Sequence, residues 1–334
     1  MPISTRLTQR FGLVHPVVLA PMAYAAGGSL AAAVSRAGGL GLIGGGYGDR
    51  EWIDAQFDEA DGVPVGCGLI TWSVQQAPEV LDLVLAHRPR AMLLSFGDPR
   101  PLGERVRRAG VPLFCQVQNR RDAEVALEAR ADVIVAQGAE AGGHGDQRAT
   151  FTLVPEIADL LAARSPDTLL CAAGGVADGR GVAAALMLGA DGVLVGSRLW
   201  ATSEARVSDR MQSSAVAAGG DDTVRTSVMD IARKLAWPDR FTARVLRNRF
   251  TDEWHGREGE LRKSGEVAAR GWVAGWIAGD PDRANTFVGE AAGLIRTVEP
   301  AADVIERMIT EAGTLLAGAR SAAGLTTTPA PERA

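Results

Sequence analysis

Eight short apolar runs alternate with helical stretches through the first two hundred residues of this 334-residue chain, and that alternation restricts its fold more than any other feature. The runs begin at Val17, Leu40, Val63, Ala91, Pro112, Val133, Leu169 and Val193. Each is continuous and rich in Val, Ile or Leu, as strands buried on both faces are. Helical periodicity fills the gaps, over residues 29–36, 52–60, 78–87, 101–108, 122–129, 152–164 and 181–188. Ser29 is placed to cap the first helix and Gly38-Gly39 to end it. The helix-to-strand junctions resemble one another, as in Ala37-Gly38-Gly39-Leu40, Ala109-Gly110-Val111-Pro112 and Leu188-Gly189-Ala190-Asp191. Such alternation predicts parallel βαβ units. Eight equivalent units predict an α/β fold of the closed (β/α)8 TIM-barrel type, with a doubly wound open sheet as the alternative.

Glycines cluster just past the last three strands. The sixth is followed by Gln137-Gly138-Ala139-Glu140-Ala141-Gly142-Gly143-His144-Gly145, the seventh by Gly174-Gly175-Val176-Ala177-Asp178-Gly179, the eighth by Gly196-Ser197-Arg198. Glycine lets backbone N–H groups approach a ligand closely. The loops after strands seven and eight of such barrels are a recurrent phosphate site. A helix starting near Ser197 would add its positive end. Gly174, Gly175, Gly196 and Ser197 are therefore candidate phosphate ligands, although tight strand-to-helix turns would also use these glycines. The phosphate would belong to a substrate or to a cofactor.

The remaining strand ends are neutral. Ala20, Pro21 and Met22 end the first strand, Gly44-Gly45-Gly46 the second, and Gly68 lies on the third. Gln116 lies on the fifth, Gln137 ends the sixth, and Gly142 and Gly143 follow it. The first lysine is Lys234, so no barrel strand offers a Schiff-base amine, and no His/Asp/Glu set stands at metal-ligand spacing. A neutral rim with a phosphate cradle suits non-covalently bound flavin mononucleotide (FMN), its phosphate at strands seven and eight and its ring over the barrel mouth. His144 is the one histidine on this face, and an imidazole suits a general base near neutral pH. The plainer alternative is a loop histidine bonded to backbone. His15, His87 and His255 read as structural. Glu140 either contacts a ribityl chain or caps the loop. Asp132 and Asp191 begin strands, which places them at the stability end of a barrel.

Composition narrows the partners. A net charge of −5 without a basic run argues against nucleic acid or an anionic membrane surface as the main partner. No apolar stretch reaches the ~20 residues of a membrane span, and residues 1–10 lack a signal-peptide core. Cys67, Cys115 and Cys171 sit in apolar runs and read as reduced, buried thiols, which makes a cytoplasmic location the default. Residues 203–277 carry Trp237, Trp254, Trp272 and Trp276 among polar residues. They read as a helical insertion after strand eight, on the active face, serving as a lid or dimer element. Residues 1–202 and 278–320 form the barrel, with helices at 285–298 and 301–316 closing its outer layer. Residues 321–334 read as a frayed tail.

At these positions the chain resembles the nitronate monooxygenase family, formerly 2-nitropropane dioxygenases, across roughly residues 10–320. The matches are Ala20-Pro21-Met22, the run from Gln137 through His144, Ala173-Gly174-Gly175-Val176-Ala177-Asp178-Gly179, and Gly196-Ser197-Arg198 with Ala201-Thr202-Ser203-Glu204. The insertion, from Arg225-Thr226 through Trp237-Pro238 to Arg247-Asn248 and Trp254, looks like that of fungal-type members. One position departs: many bacterial members carry a flavin-touching asparagine where this chain has Gly68. The resemblance implies an FMN-dependent TIM-barrel enzyme oxidising alkyl nitronates, of the propionate 3-nitronate type, with oxygen to a carbonyl and nitrite. It also implies that His144 contacts the nitro group or removes a carbon-bound proton. An FMN-dependent NAD(P)H reductase of the enoyl-thioester type remains the alternative on this scaffold. A non-flavin barrel acting on a phosphorylated metabolite, or a flavin binder without turnover, is the third.

Overall fold

Successive strand residues point to opposite sides, and here each side feeds its own apolar core. The computed structural model describes residues 2–264 and 266–322. Its parallel strands are Val17–Leu19, Leu42–Gly46, Gly66–Ile70, Met92–Ser95, Leu113–Val117, Val133–Gln137, Leu169–Ala173 and Gly192–Val195. From the second to the eighth, each pairs with the next in chain order, and the eighth pairs with the first. A parallel bridge between Val18 and Leu40 joins the first to the second. The sheet thereby closes as a TIM barrel, which removes its edges and sets aside the open-sheet alternative. Val18, Leu42, Leu93, Phe114, Val133, Val135 and Cys171 fill the interior. Their neighbours Val17, Leu19, Ile43, Met92, Leu94, Ile134 and Val195 pack outward against the helices.

The first helix, Arg6–Phe11, closes the bottom of the barrel. Leu7 is fully buried in the interior core, and Phe11 packs on Phe114 with ring centroids 5.3 Å apart. Arg6 makes two 2.7 Å bonds to Asp191, whose carboxylate also accepts from the Leu170 N–H. Arg10 reaches Asp132 at 3.2 Å, and Asp132 accepts from the Leu113 N–H. Both aspartates thus fasten strand starts, at the end remote from the glycine loops. Both arginines are about half exposed, so each pair contributes at most about 1 kcal/mol. The buried apolar plug carries more of the stability.

Two local expectations need correction. The helix over Gly28–Arg36 starts two residues earlier than Ser29 capping would require, and Gly27 holds the cap position. Ser29 instead donates from its hydroxyl to Glu59 at 2.9 Å. Residues 285–298 are not an α-helix; they run as irregular chain around a short 3-10 turn, Glu290–Leu294. Their backbone groups bond to other segments: Gly289 N–H to Ser197 Oγ, Glu290 N–H to the Glu140 carbonyl, and the Thr286 carbonyl to Leu246 N–H. The last helix, Ala301–Ala322, does pack on the barrel helices Gly28–Arg36 and Gly179–Met187. Glu204 accepts from the Ala301 N–H at its start. The expected tail lies, from residue 323 onward, outside the described residues.

Past the eighth strand the chain builds a second buried cluster that includes Trp200, Met211, Met229, Val245, Phe250, Trp272 and Ile295. Helices make up most of it: Asp209–Ala217, Val228–Ala232, Arg249–Trp254, Glu258–Ser264 and Glu266–Ile277. It also contributes two antiparallel strands, Thr223–Thr226 and Thr242–Leu246, and the second pairs with Gly143–Gly145 from the loop after the sixth barrel strand. The three cysteines are free and buried. Burial pushes the Cys67 thiol up to about 12 and raises the other two as well, so all are unreactive. Among the described residues no helix is long and apolar enough to cross a membrane.

Leu7→Ala should destabilise the protein by about 2–5 kcal/mol, the usual cost of truncating a buried leucine. A urea titration with unchanged slope measures it, and a loss below about 1 kcal/mol would show that the plug contributes little.

Candidate active site

The carboxyl ends of the barrel strands open into a cavity of about 460 Å³. Ala20, Pro21, Met22, Gly68, Gln116, Gln137, Gly142, Gly143, His144, Gly174, Gly175, Gly196 and Ser197 all line it. Gly68 faces Pro21 so closely that a Cβ would lie 2.2 Å from the Pro21 ring. An asparagine at this position therefore requires the Ala20-Pro21-Met22 segment to move.

The glycine loops differ in what surrounds them. Gly174 and Gly175 both have left-handed backbone, at φ +101° and +77°. A Cβ on Gly174 would press on Thr150 Oγ1 and the Gly138 carbonyl. On Gly175 or Gly196 it would meet nothing nearer than 3.6 Å, so a side chain there would enter the cavity itself. Ser197 Oγ accepts from Gly289 N–H at 2.9 Å, which leaves its own proton to donate. Arg198 is buried and turned away, donating to the Ala201 and Thr297 carbonyls and to Glu299. Glu140 lines the cavity, but its carboxylate accepts from Thr150 N–H and Oγ1 at 2.8–3.0 Å. It therefore caps the helix Thr150–Arg164, where the dipole favours an anion.

A chain of amides leads to the histidine. Gln137 Oε1 accepts from Gln116 and Gln118, each at 3.0 Å, and Gln137 Nε2 donates to the His144 carbonyl at 3.1 Å. Ala243 opposes His144 in the small sheet. Arg225 and Arg244 both donate to the Ala139 carbonyl, at 3.0 and 2.9 Å, tying the same loop to the insertion. Burial, with Arg244 beside it, lowers the Arg225 guanidinium to about 10.

The His144 imidazole stacks on Trp237, with centroids 3.5 Å apart and planes 5° from parallel, and meets Phe96 edge-on. Trp237 Nε1 donates to Tyr47 Oη at 3.1 Å, so an aromatic wall from both units encloses the histidine. His144 Nε2 lies 2.8 Å from Asp230 Oδ2, and Arg233 donates to Asp230 Oδ1 at 2.7 Å. Asp230 is 2% exposed. Burial holds the His144 imidazole below its usual range, against the opposing pull of the Asp230 charge. Burial, reinforced by the nearby Arg233 and Arg225 charges, thus favours the neutral ring. A neutral ring beside a carboxylate carries its proton on Nε2, an assignment made from the hydrogen-bond network. Among the described residues Nδ1 has no hydrogen-bond partner, so its lone pair is available within the cavity lining.

Asp230, Arg233, Tyr47 and Phe96 escape a reading of the sequence, which singles out Trp237 only as one tryptophan of the insertion. The only signal for Asp230 is a carboxylate set among apolar residues in Val228-Met229-Asp230-Ile231-Ala232. Glu140→Ala should lower stability by about 0.5–2 kcal/mol through loss of the cap. Thermal denaturation measures this, and an unchanged midpoint would leave the carboxylate free for another role.

Comparison with known proteins agrees with this geometry. Residues 68–311 match the family model described as nitronate monooxygenase. The nitronate monooxygenase npaC of Metarhizium robertsii is 38% identical over 90% of this chain and 91% of its own length. The FabK structure from Thermotoga maritima superposes with a TM-score of 0.83 at 28% identity, covering 96% of this chain and 99% of that one. The nitroalkane oxidase of Streptomyces ansochromogenes gives 0.78 at 25% identity, with 96% and 100% coverage. With a family match over most of its length, a full-length relative and a barrel that opens on this cavity, the chain belongs to the nitronate monooxygenase family and is a flavin-dependent oxidoreductase.

Proposed function

We propose that the chain binds FMN non-covalently and oxidises alkyl nitronates of the propionate 3-nitronate type, with oxygen, to a carbonyl compound and nitrite. The observation that carries this reading is the placement of an oriented imidazole and an open glycine cradle in one cavity, where the ring can stabilise a nitronate when protonated or take a proton from a nitroalkane when neutral. The residues fit the cofactor. The space at Gly175 and Gly196 that a Cβ would fill admits a phosphate, and the Ser197 hydroxyl has a proton for it. Ala20, Pro21, Met22, Gly68, Gln116, Gln137, Gly142 and Gly143 would contact the uncharged remainder. When bound, FMN supplies the electron acceptor and the means of passing electrons to oxygen. Residues 1–202 and 278–320 would form the cofactor-binding unit and 203–277 the cover over its mouth.

His144 acts on the substrate's proton. A neutral nitroalkane must lose a carbon-bound proton, and the Nδ1 lone pair is placed to accept it. A nitronate is already an anion and needs no base; an imidazolium would stabilise it instead. Trp237, Phe96 and Tyr47 restrict water around the ring and leave apolar surface for the alkyl part. The structural likeness to FabK supports a second reading, an FMN-dependent NAD(P)H reductase of enoyl thioesters in the same cavity.

Denaturation should release FMN, identified by mass; release of FAD would contradict the assignment. Gly196→Val should weaken FMN binding by more than tenfold, about 1.4 kcal/mol. An unchanged affinity in a folded variant would remove the phosphate from this loop.

His144→Ala should retain FMN. It should slow flavin reduction by a neutral nitroalkane by about 10²–10⁴-fold, and reduction by the preformed nitronate far less. Equal, small effects on both would make His144 a loop residue.

A further inference from the structure

We infer that Asp230 and Arg233 are positioning residues for His144: the guanidinium fixes and compensates the carboxylate, and the carboxylate fixes the imidazole with its Nδ1 lone pair toward the substrate. This rests on the reading of His144 as the group that accepts the substrate's proton.

Every polar side-chain atom of His144 and Asp230 but one is engaged. Each Asp230 oxygen has a different partner, His144 Nε2 at 2.8 Å and Arg233 at 2.7 Å. Arg233 is itself held, by the Met229 carbonyl at 3.3 Å and by the faces of Trp272 and Phe287, 5.3 and 5.6 Å from its guanidinium carbon. Trp237 covers one face of the imidazole. Strand pairing opposite Ala243 and the Gln137 bond hold the His144 backbone. With Nε2 engaged, Nδ1 is the nitrogen left for a ligand.

The charges around the ring have a consequence for substrate choice. From the insertion, His144 is influenced by Asp230, Arg233 and Arg225; from the barrel side it meets Phe96, with Tyr47 beyond Trp237 and the uncharged Gln137 at its backbone. Asp230 alone would favour imidazolium. Burial opposes it most, and Arg233 and Arg225 add to that. The balance keeps a base ready at neutral pH, which a neutral nitroalkane needs and a nitronate does not.

Removing either partner shifts that balance in a defined direction. In Asp230→Asn the amide can donate to Nε2, which puts the ring proton on Nδ1 and blocks the base. In Arg233→Met the uncompensated carboxylate favours imidazolium, so the base is lost at a higher pH than in the parent.

Two readouts on the FMN-loaded protein test this, with FMN content and circular dichroism as folding controls. The first is imidazole ¹⁵N NMR, with His144 assigned by His144→Gln. It should show the Nε2–H tautomer at neutral pH, loss of that preference in Asp230→Asn, and imidazolium persisting to higher pH in Arg233→Met. The second is the pH profile of anaerobic flavin reduction. Asp230→Asn should slow nitroethane by ~10-fold or more, up to the general-base range of ~10²–10⁴-fold, and ethyl nitronate far less. Arg233→Met should move the acid limb with nitroethane to higher pH, and Arg233→Lys should restore most of it. A parent-like tautomer in Asp230→Asn would overturn the inference. If His144→Ala slows nitroethane and Asp230→Asn does not, positioning falls and the base reading stands. If neither slows it, the base reading falls and takes the inference with it.

Discussion

Three residue pairs of antiparallel sheet, Gly143–Gly145 against Thr242–Leu246, hold the site together. Without them His144 would ride on a loop after the sixth barrel strand, and ordering that loop would cost conformational entropy at each residue. The pairing places His144 opposite Ala243, and Gly143 enters it at φ +73°, a left-handed backbone that favours glycine. Two arginines on the neighbouring strands then share the Ala139 carbonyl, so the loop is fixed at both ends of the turn.

This arrangement divides the site by charge. The barrel contributes glycines, amides and apolar side chains, and the one carboxylate it brings to the cavity, Glu140, is committed to a helix start. The insertion contributes the charged groups around the imidazole, Asp230, Arg233 and Arg225. In the proposed function, a neutral mouth beside a compensated ion pair would let one cavity hold a flat cofactor while the imidazole faces the substrate. The proposed phosphate cradle and the proposed proton-handling group therefore sit on different loops, which is why changes to one are expected to spare the other.

The barrel was legible because its signals are local. Runs such as Val133-Ile134-Val135 and Leu169-Leu170-Cys171 are apolar throughout, as strands buried on both faces must be, and each glycine cluster directly follows its run. All the residues singled out from those clusters line one cavity. The surroundings of His144 were not legible, because Asp230 and Trp237 lie 86 and 93 residues further on and only tertiary pairing brings them close. The strands that carry them in, Thr223–Thr226 and Thr242–Leu246, are short and interrupted by arginine. Residues 285–298 misled in the other direction. Their apolar spacing suits a helix, but a Cβ on Gly289 would lie 2.3 Å from the Glu140 carbonyl, and the neighbouring amides serve the site loops instead.

The central claim, that this cavity oxidises nitronates with a bound flavin, is tested most directly by anaerobic mixing of the purified protein with propionate 3-nitronate and, separately, with NADPH. The account predicts rapid bleaching of the flavin absorbance by the nitronate and none by NADPH, with carbonyl product and nitrite appearing once oxygen is admitted. Bleaching by NADPH alone, with the nitronate inert, would contradict it and favour the reductase.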